Sequence, residues 1–183
     1  MAIAAQNIAL VGFRATGKST IGRILAEKLG YTFVDMDEEL VTRFGTDIHN
    51  WVQEHGWEAF RDAEAQLFAE LAGHLRQIVA TGGGVIIRED NRERMKKNFF
   101  TVWLQTSVEN IQARLSQDPK TRSQRPALTE LSLREEIITI LQQRTPWYQE
   151  TADLILATDA QDPAELVKSI LTGMDTIDRM EDE

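Results

Sequence analysis

Residues Gly12-Phe13-Arg14-Ala15-Thr16-Gly17-Lys18-Ser19 fit the pattern G-x-x-x-x-G-K-[ST] without a gap. The chemistry of that set is phosphate binding. Gly12 and Gly17 let the backbone curl so that successive N–H groups face one anion, and the following helix adds the partial positive charge of its N-terminus. Lys18 is long enough to reach terminal phosphates, and the Ser19 hydroxyl can ligate Mg2+. The flanks suit this role. Ile8-Ala9-Leu10-Val11 reads as a buried strand, and Thr20 to Leu29 carries helical spacing through Ile21, Ile24, Leu25 and Leu29. A glycine turn with no ligand is the bland alternative; the full match in strand–loop–helix context favours nucleotide binding.

Further polar groups recur at predicted strand ends. Asp35 and Asp37 follow Phe33-Val34 at the C-terminal edge of the second strand, where ligands bind in open α/β sheets. Two apart on an extended chain, they project to one side. They can serve a metal's water shell and substrate hydroxyls, or simply end the strand and cap the next helix. Gly82-Gly83-Gly84 follows the third strand and reads either as backbone approached closely by a ligand or as a tight turn. Arg61 and Glu64 lie one helical turn apart, which gives a surface ion pair or a guanidinium held for a carboxylate ligand. Arg125 heads Arg125-Pro126, and Arg144 lies in Arg144-Thr145-Pro146-Trp147-Tyr148. Loop arginines are usually solvated, but in a phosphotransferase one can neutralise the transferring group. His49, His55 and His74 fit no ligand spacing, and the four tryptophans read as core or pocket wall.

The elements needed to position these groups alternate along the chain. Strands are predicted at Asn7–Val11, Thr32–Asp35, Gln77–Ala80, Thr101–Gln105 and Leu154–Ala157. Helices are predicted at Lys18–Leu29, Asp47–Leu75 with a break near Gly56, Glu89–Lys97, Val108–Gln117, Leu131–Thr151 and from Pro163 to about Leu171. Alternation of this kind makes a parallel sheet covered on both faces. The helical segment at about 37–75 is a candidate substrate-binding cap, and the polar segment at about 116–128 a lid that keeps water from ATP. Both segments read as part of a single domain over 1–179, with 180–183 a frayed acidic tail.

Bulk properties narrow the classes. The 183 residues carry 20 basic and 29 acidic side chains, a net charge of −9 that disfavours general nucleic-acid binding but permits a local basic cluster for a small anion. With no cysteine there is no disulfide, thiolate metal site or cysteine nucleophile. No signal-peptide pattern and no membrane-length apolar run are evident, so a cytoplasmic protein without membrane partners is expected.

Taken in order, Gly12–Thr20, Asp35-x-Asp37, Phe60-Arg61-x-x-Glu64, Gly82–Gly84, Arg125-Pro126 and Arg144-x-x-x-Tyr148 with Ala152-Asp153 resemble the shikimate kinase family of P-loop kinases. The resemblance spans nearly the whole chain. It implies a three-layer α/β/α domain on a five-stranded parallel sheet of order 2-3-1-4-5, with a lid and a helical substrate-binding subdomain. It implies ATP as co-substrate, Mg2+, shikimate as acceptor and a monomer. The nucleotide would be held by Gly12, Ala15, Thr16, Gly17, Lys18, Ser19 and Thr20, with Arg125 closing from the lid and Gln161 near the base. Shikimate would meet Asp37, Arg61, Gly82, Gly83, Gly84 and Arg144, and Mg2+ would meet Ser19 and Asp35. Lys18, Asp37 and Arg125 would carry catalysis. Two departures stand out. The lid is several residues longer than the compact family lid, so Arg122 competes with Arg125, and Arg114 becomes an uncertain adenine partner. Gln161 stands where a basic residue would otherwise contact the base. The competing functions are a kinase of another hydroxylated acid such as gluconate, and a non-catalytic ATP-binding regulator.

Overall fold

The computed structural model describes residues 7–117 and 132–181. Most of the expected lid, with Arg122 and Arg125, therefore lies outside the described residues. The elements are β1 (Asn7–Val11), α1 (Lys18–Leu29), β2 (Thr32–Asp35), α2 (Met36–Phe44), α3 (Ile48–Leu71), β3 (Gln77–Ala80), α4 (Glu89–Asn98), β4 (Phe99–Gln105), α5 (Val108–Gln117), α6 (Leu133–Thr151), β5 (Leu154–Ala157) and α7 (Pro163–Glu181).

The five strands form one parallel sheet in the order β2-β3-β1-β4-β5. The expected 2-3-1-4-5 arrangement is thus the observed one. β1 lies at the centre, with β3 on one side and β4 on the other, so the chain reverses direction around it. The crevice beyond such a strand is where ligands bind in open α/β sheets. Every residue of β1 is buried, as an inner parallel strand covered on both faces requires.

Alternation along β1 sorts the core into two layers. Ile8 and Leu10 pack with Ile21 and Leu25 of α1 and Leu166, Val167 and Ile170 of α7. Ala9 and Val11 face Phe60, Leu67 and Phe68 of α3, Met95 of α4 and Tyr148 of α6. α1 comes close to the sheet through Gly22, where an added Cβ would stand 2.5 Å from the Phe33 ring and 3.2 Å from Leu10 Cδ1. A third cluster of Phe13, Ile111, Leu115, Ile137 and Ile140 seats the phosphate-loop segment on α5 and α6.

Several boundaries differ from the sequence reading, each for a local reason. The chain turns helical at Met36, because one oxygen of Asp35 accepts from the Asp37 and Glu38 amides at 3.0 and 3.3 Å and caps α2. Asp37 therefore sits on a helix and not on the strand extension. α2 and α3 are separate helices, divided by Gly45 in the left-handed region (φ 68°) and by the Asp47 cap. The break in α3 falls at Gly56 as expected; its φ of 84° is one that glycine adopts without strain. α3 stops at Leu71, where the Ala72, Gly73 and His74 amides bond back and close the helix. β4 begins at Phe99, two residues earlier than its periodicity suggested, and α7 runs past Leu171 to Glu181. The apolar Val85-Ile86-Ile87 forms a 3-10 turn whose Val85 and Ile86 are buried.

Candidate active site

A cleft of about 490 Å3 opens beyond the C-terminal ends of the strands. Its floor is the loop from Arg14 to Thr20, and its walls include Asp35, Asp37, Thr81, Gly83, Arg114, Thr158 and Gln161. The loop owes its shape to a few contacts. Gly17 caps α1 with φ 95°, and Ala15 takes φ 58°, uncommon for a residue with a side chain. An added Cβ on Gly12 would stand 2.6 Å from the Leu104 carbonyl oxygen, so only glycine lets β1 leave the sheet this close to β4. Lys18 Nζ donates to the Gly12 and Phe13 carbonyls at 3.0 and 2.7 Å, which folds the ammonium over the loop. Arg114 braces the other side, donating to the Ala15 carbonyl at 2.9 Å and weakly to that of Thr158 at 3.4 Å. The sequence left Arg114 an uncertain partner of adenine; the structure places it on the cleft wall, bonded to the loop.

Asp35 ends the strand and caps α2, one of the roles considered for it. While its Oδ1 caps α2, its Oδ2 accepts from Ser19 Oγ at 2.5 Å across the cleft. A hydroxyl and a carboxylate so joined make a hard-oxygen pair beside the phosphate loop. Mg2+ keeps several waters and phosphate oxygens and takes only one or two protein groups, so this donor set fits it. Among the described residues no three of His, Asp and Glu gather into a metal cluster.

A second, smaller cavity of about 50 Å3 adjoins the cleft and is lined by Trp57, Phe60, Arg61, Glu64, Gly84 and Arg144 among others. Arg61 Nη1 donates to Glu64 Oε2 at 2.6 Å, and the guanidinium lies 5.3 Å from the Trp57 ring centre and 5.2 Å from that of Phe60. The ion pair is not a surface pair: Glu64 is 2% exposed. Burial pushes its carboxyl above the ordinary value against the pull of Arg61. Arg144 Nη1 donates to the Gly83 carbonyl at 2.6 Å, and Tyr148 Oη to the same oxygen at 3.1 Å. Burial lowers the Arg144 guanidinium below its ordinary value and pushes the Tyr148 phenol up to about 12.

Two of the three glycines, Gly82 and Gly84, serve close approach. None has a positive φ, yet a Cβ on Gly82 would overlap Glu64 and stand 3.1 Å from Asp37 Oδ1, and one on Gly84 would overlap the Arg61 guanidinium. The tight-turn reading holds, and the groups that press against the turn are the protein's own charged side chains. Gly12 and Gly82 shape the walls from behind, whereas the other expected residues among those described face one of the two cavities.

Sequence reasoning gave no role to Arg14 or Glu136. They form a buried ion pair between the phosphate loop and the first turn of α6. Arg14 was hidden as a variable position of the loop pattern, and Glu136 within Arg134-Glu135-Glu136, which reads as a solvated helix start. No helix among the described residues is long and apolar enough to cross a membrane.

Comparison with known proteins finds relatives over most of the chain. The shikimate kinase family model matches residues 14–175. A shikimate kinase from Nitratidesulfovibrio vulgaris is 41% identical over 154 residues, covering 84% of this chain and 87% of its own. The solved shikimate kinase of Acinetobacter baumannii, in complex with shikimate, superposes with a TM-score of 0.84 at 34% identity, over 91% of this chain and 90% of that one. A gluconokinase from Sinorhizobium meliloti superposes with a TM-score of 0.55 at 19% identity, covering 94% of this chain and 93% of its own, a likeness of fold alone. The chain belongs to the shikimate kinase family.

Proposed function

We propose that this chain transfers the γ-phosphoryl group of ATP to the 3-hydroxyl of shikimate, giving shikimate 3-phosphate and ADP. The observation that carries the reading is the joining of two cavities. One is floored by the phosphate loop, the other holds the part-buried Arg61 and the buried Arg144, and Asp37, Gly83 and Arg14 line both. Donor and acceptor can therefore meet without leaving the protein.

ATP phosphates would lie on the amides from Gly12 to Thr20, with Lys18 turning from its carbonyls to bridge them. Gln161 and Arg114, both on the cleft wall, would lie beside the base. Arg61 and Arg144 would take the shikimate carboxylate, which two planar guanidinium forks bind better than ammonium groups would. Glu64 orients Arg61 through the 2.6 Å bond, and Tyr148 with the Gly83 carbonyl orients Arg144. Asp37 would accept from the reacting hydroxyl, with the Gly82–Gly84 backbone beside the ring. Ser19 and Asp35 would hold Mg2+, which when bound neutralises phosphate charge. Arg125 would close onto the phosphates from the lid. Positioning and charge neutralisation would supply most of the rate, because a loose transition state needs little base catalysis.

The test is ADP release by the purified chain with shikimate and gluconate side by side. Turnover should depend on shikimate, and Arg61→Ala should raise the KM for shikimate while leaving that for ATP. Equal turnover with gluconate would move the function to another hydroxy acid, and binding of both ligands without transfer would indicate a regulator.

A further inference from the structure

Arg14, Asp37 and Gly83 are the residues shared by the walls of both cavities, and among them Arg14 is the cation. A phosphoryl group passing from one cavity to an acceptor in the other must cross where they meet. The guanidinium does not sit there by chance of rotamer. Its Nη2 is bonded to Glu136, and the two side chains are 13% and 4% exposed. Glu136 belongs to the first turn of α6, where the helix dipole favours an anion. Arg14 itself stands on the loop that holds the donor, beside Gly83, whose position an added Cβ would bring to 3.8 Å from the Arg14 amide. The side chain thus starts from the phosphate loop, and its guanidinium is held by a buried carboxylate.

Resting on the kinase reading above, we propose that Arg14 is a catalytic residue that neutralises the phosphoryl group in transit, and that Glu136 is its positioning residue. The γ-phosphorus–oxygen bond to ADP breaks as the bond to the acceptor oxygen forms, the hydroxyl proton leaves with Asp37 or solvent, and the charge spread over the three equatorial oxygens faces Arg14. A guanidinium carries five N–H donors, more than one carboxylate occupies, so pairing with Glu136 is compatible with contact to a phosphoryl oxygen. Preorganised in a dry site, one such group contributes on the order of 10²-fold to turnover.

The experiment separates this role from a merely structural staple. Arg14→Met leaves Glu136 buried without its charge partner and can unfold the chain, whereas Arg14→Met/Glu136→Leu removes both charges together, a replacement that buried pairs commonly tolerate. Melting temperature, kcat and both KM values are measured for wild type, both variants and Glu136→Gln. The double variant should fold, keep both KM values within about threefold, and lose about 10²-fold in kcat. Glu136→Gln, which keeps the shape but frees the guanidinium, should lose less, and in kcat rather than KM. A double variant with kcat near wild type assigns the pair to structure and overturns the proposal. A Glu136→Gln enzyme with unchanged kcat removes Glu136 from positioning. If wild type itself shows no shikimate-dependent turnover, the kinase reading falls and this role with it; turnover in wild type with a fully active double variant overturns the Arg14 role alone.

Discussion

Gly84→Ala is the substitution that most sharply divides binding from folding in this site. The new methyl would overlap three atoms of the Arg61 guanidinium, Cζ, Nη1 and Nη2. Those atoms are the far end of a flexible side chain, so the guanidinium swings aside while the backbone stays. It cannot do so freely, because Glu64 holds it at 2.6 Å and Trp57 and Phe60 flank it. A displacement on the order of 1 Å suffices to misalign a bidentate pair. Loss of one charge-assisted bond to the substrate carboxylate costs about 1.5–3 kcal/mol. At 1.4 kcal/mol per tenfold, the KM for shikimate rises roughly 10- to 150-fold. The larger cleft, proposed above for ATP, contains neither Arg61 nor Gly84, so the KM for ATP should stay within about twofold. Global stability should fall by about 1–3 kcal/mol, the cost of an added methyl in a packed site that a flexible side chain relieves only in part. The assay is steady-state ADP release with shikimate varied at saturating ATP and the reverse, beside a thermal melt. A variant that folds normally and keeps the wild-type KM for shikimate would refute the reasoning that Arg61 holds the acceptor.

Three further outcomes are expected. Lys18→Met should reduce turnover by several orders of magnitude while circular dichroism stays native; a wild-type rate would remove Lys18 from the chemistry. Gly22→Ala puts a methyl 2.5 Å from the Phe33 ring in the α1–sheet interface, so it should cost about 1–3 kcal/mol in denaturant unfolding with little change in either KM. In alkaline titration the Tyr148 phenol, raised by burial to about 12, keeps its proton above the ordinary value of 10.0. The native state then binds more protons than the unfolded state between these limits, so this group's stabilisation is whole below pH 10 and is lost as pH rises toward 12. A late tyrosinate step seen in wild type and missing in Tyr148→Phe checks the assignment.

The sequence was most legible where one local signal sufficed. β1, the phosphate loop and α1 were readable because a continuous apolar run, a glycine pattern and a helical period adjoin one another within 23 residues, 7–29. The sheet order, in contrast, came from the family resemblance, since strand periodicity says nothing of neighbours. The start of α2 was left open between a strand end and a cap because a cap is a three-dimensional act: Asp35 looks alike whether it ends a strand or bonds the Asp37 amide. Gly82 and Gly84 were legible as glycines but not in purpose, because what they make room for, Glu64 and Arg61, arrives from a helix some twenty residues upstream. Glu136 was illegible for the same reason: its partner Arg14 is 122 positions away, and nothing in its own neighbours marks it as buried.

The central claim is that the phosphoryl group goes from ATP to one hydroxyl of shikimate within the joined cavities. Phosphorus NMR of the purified chain with ATP, Mg2+ and shikimate tests it directly. A single new phosphate ester, coupled to the proton on carbon 3 and growing in step with ADP, is the predicted result. ADP formed without an ester on shikimate, or an ester on another hydroxyl, would contradict it.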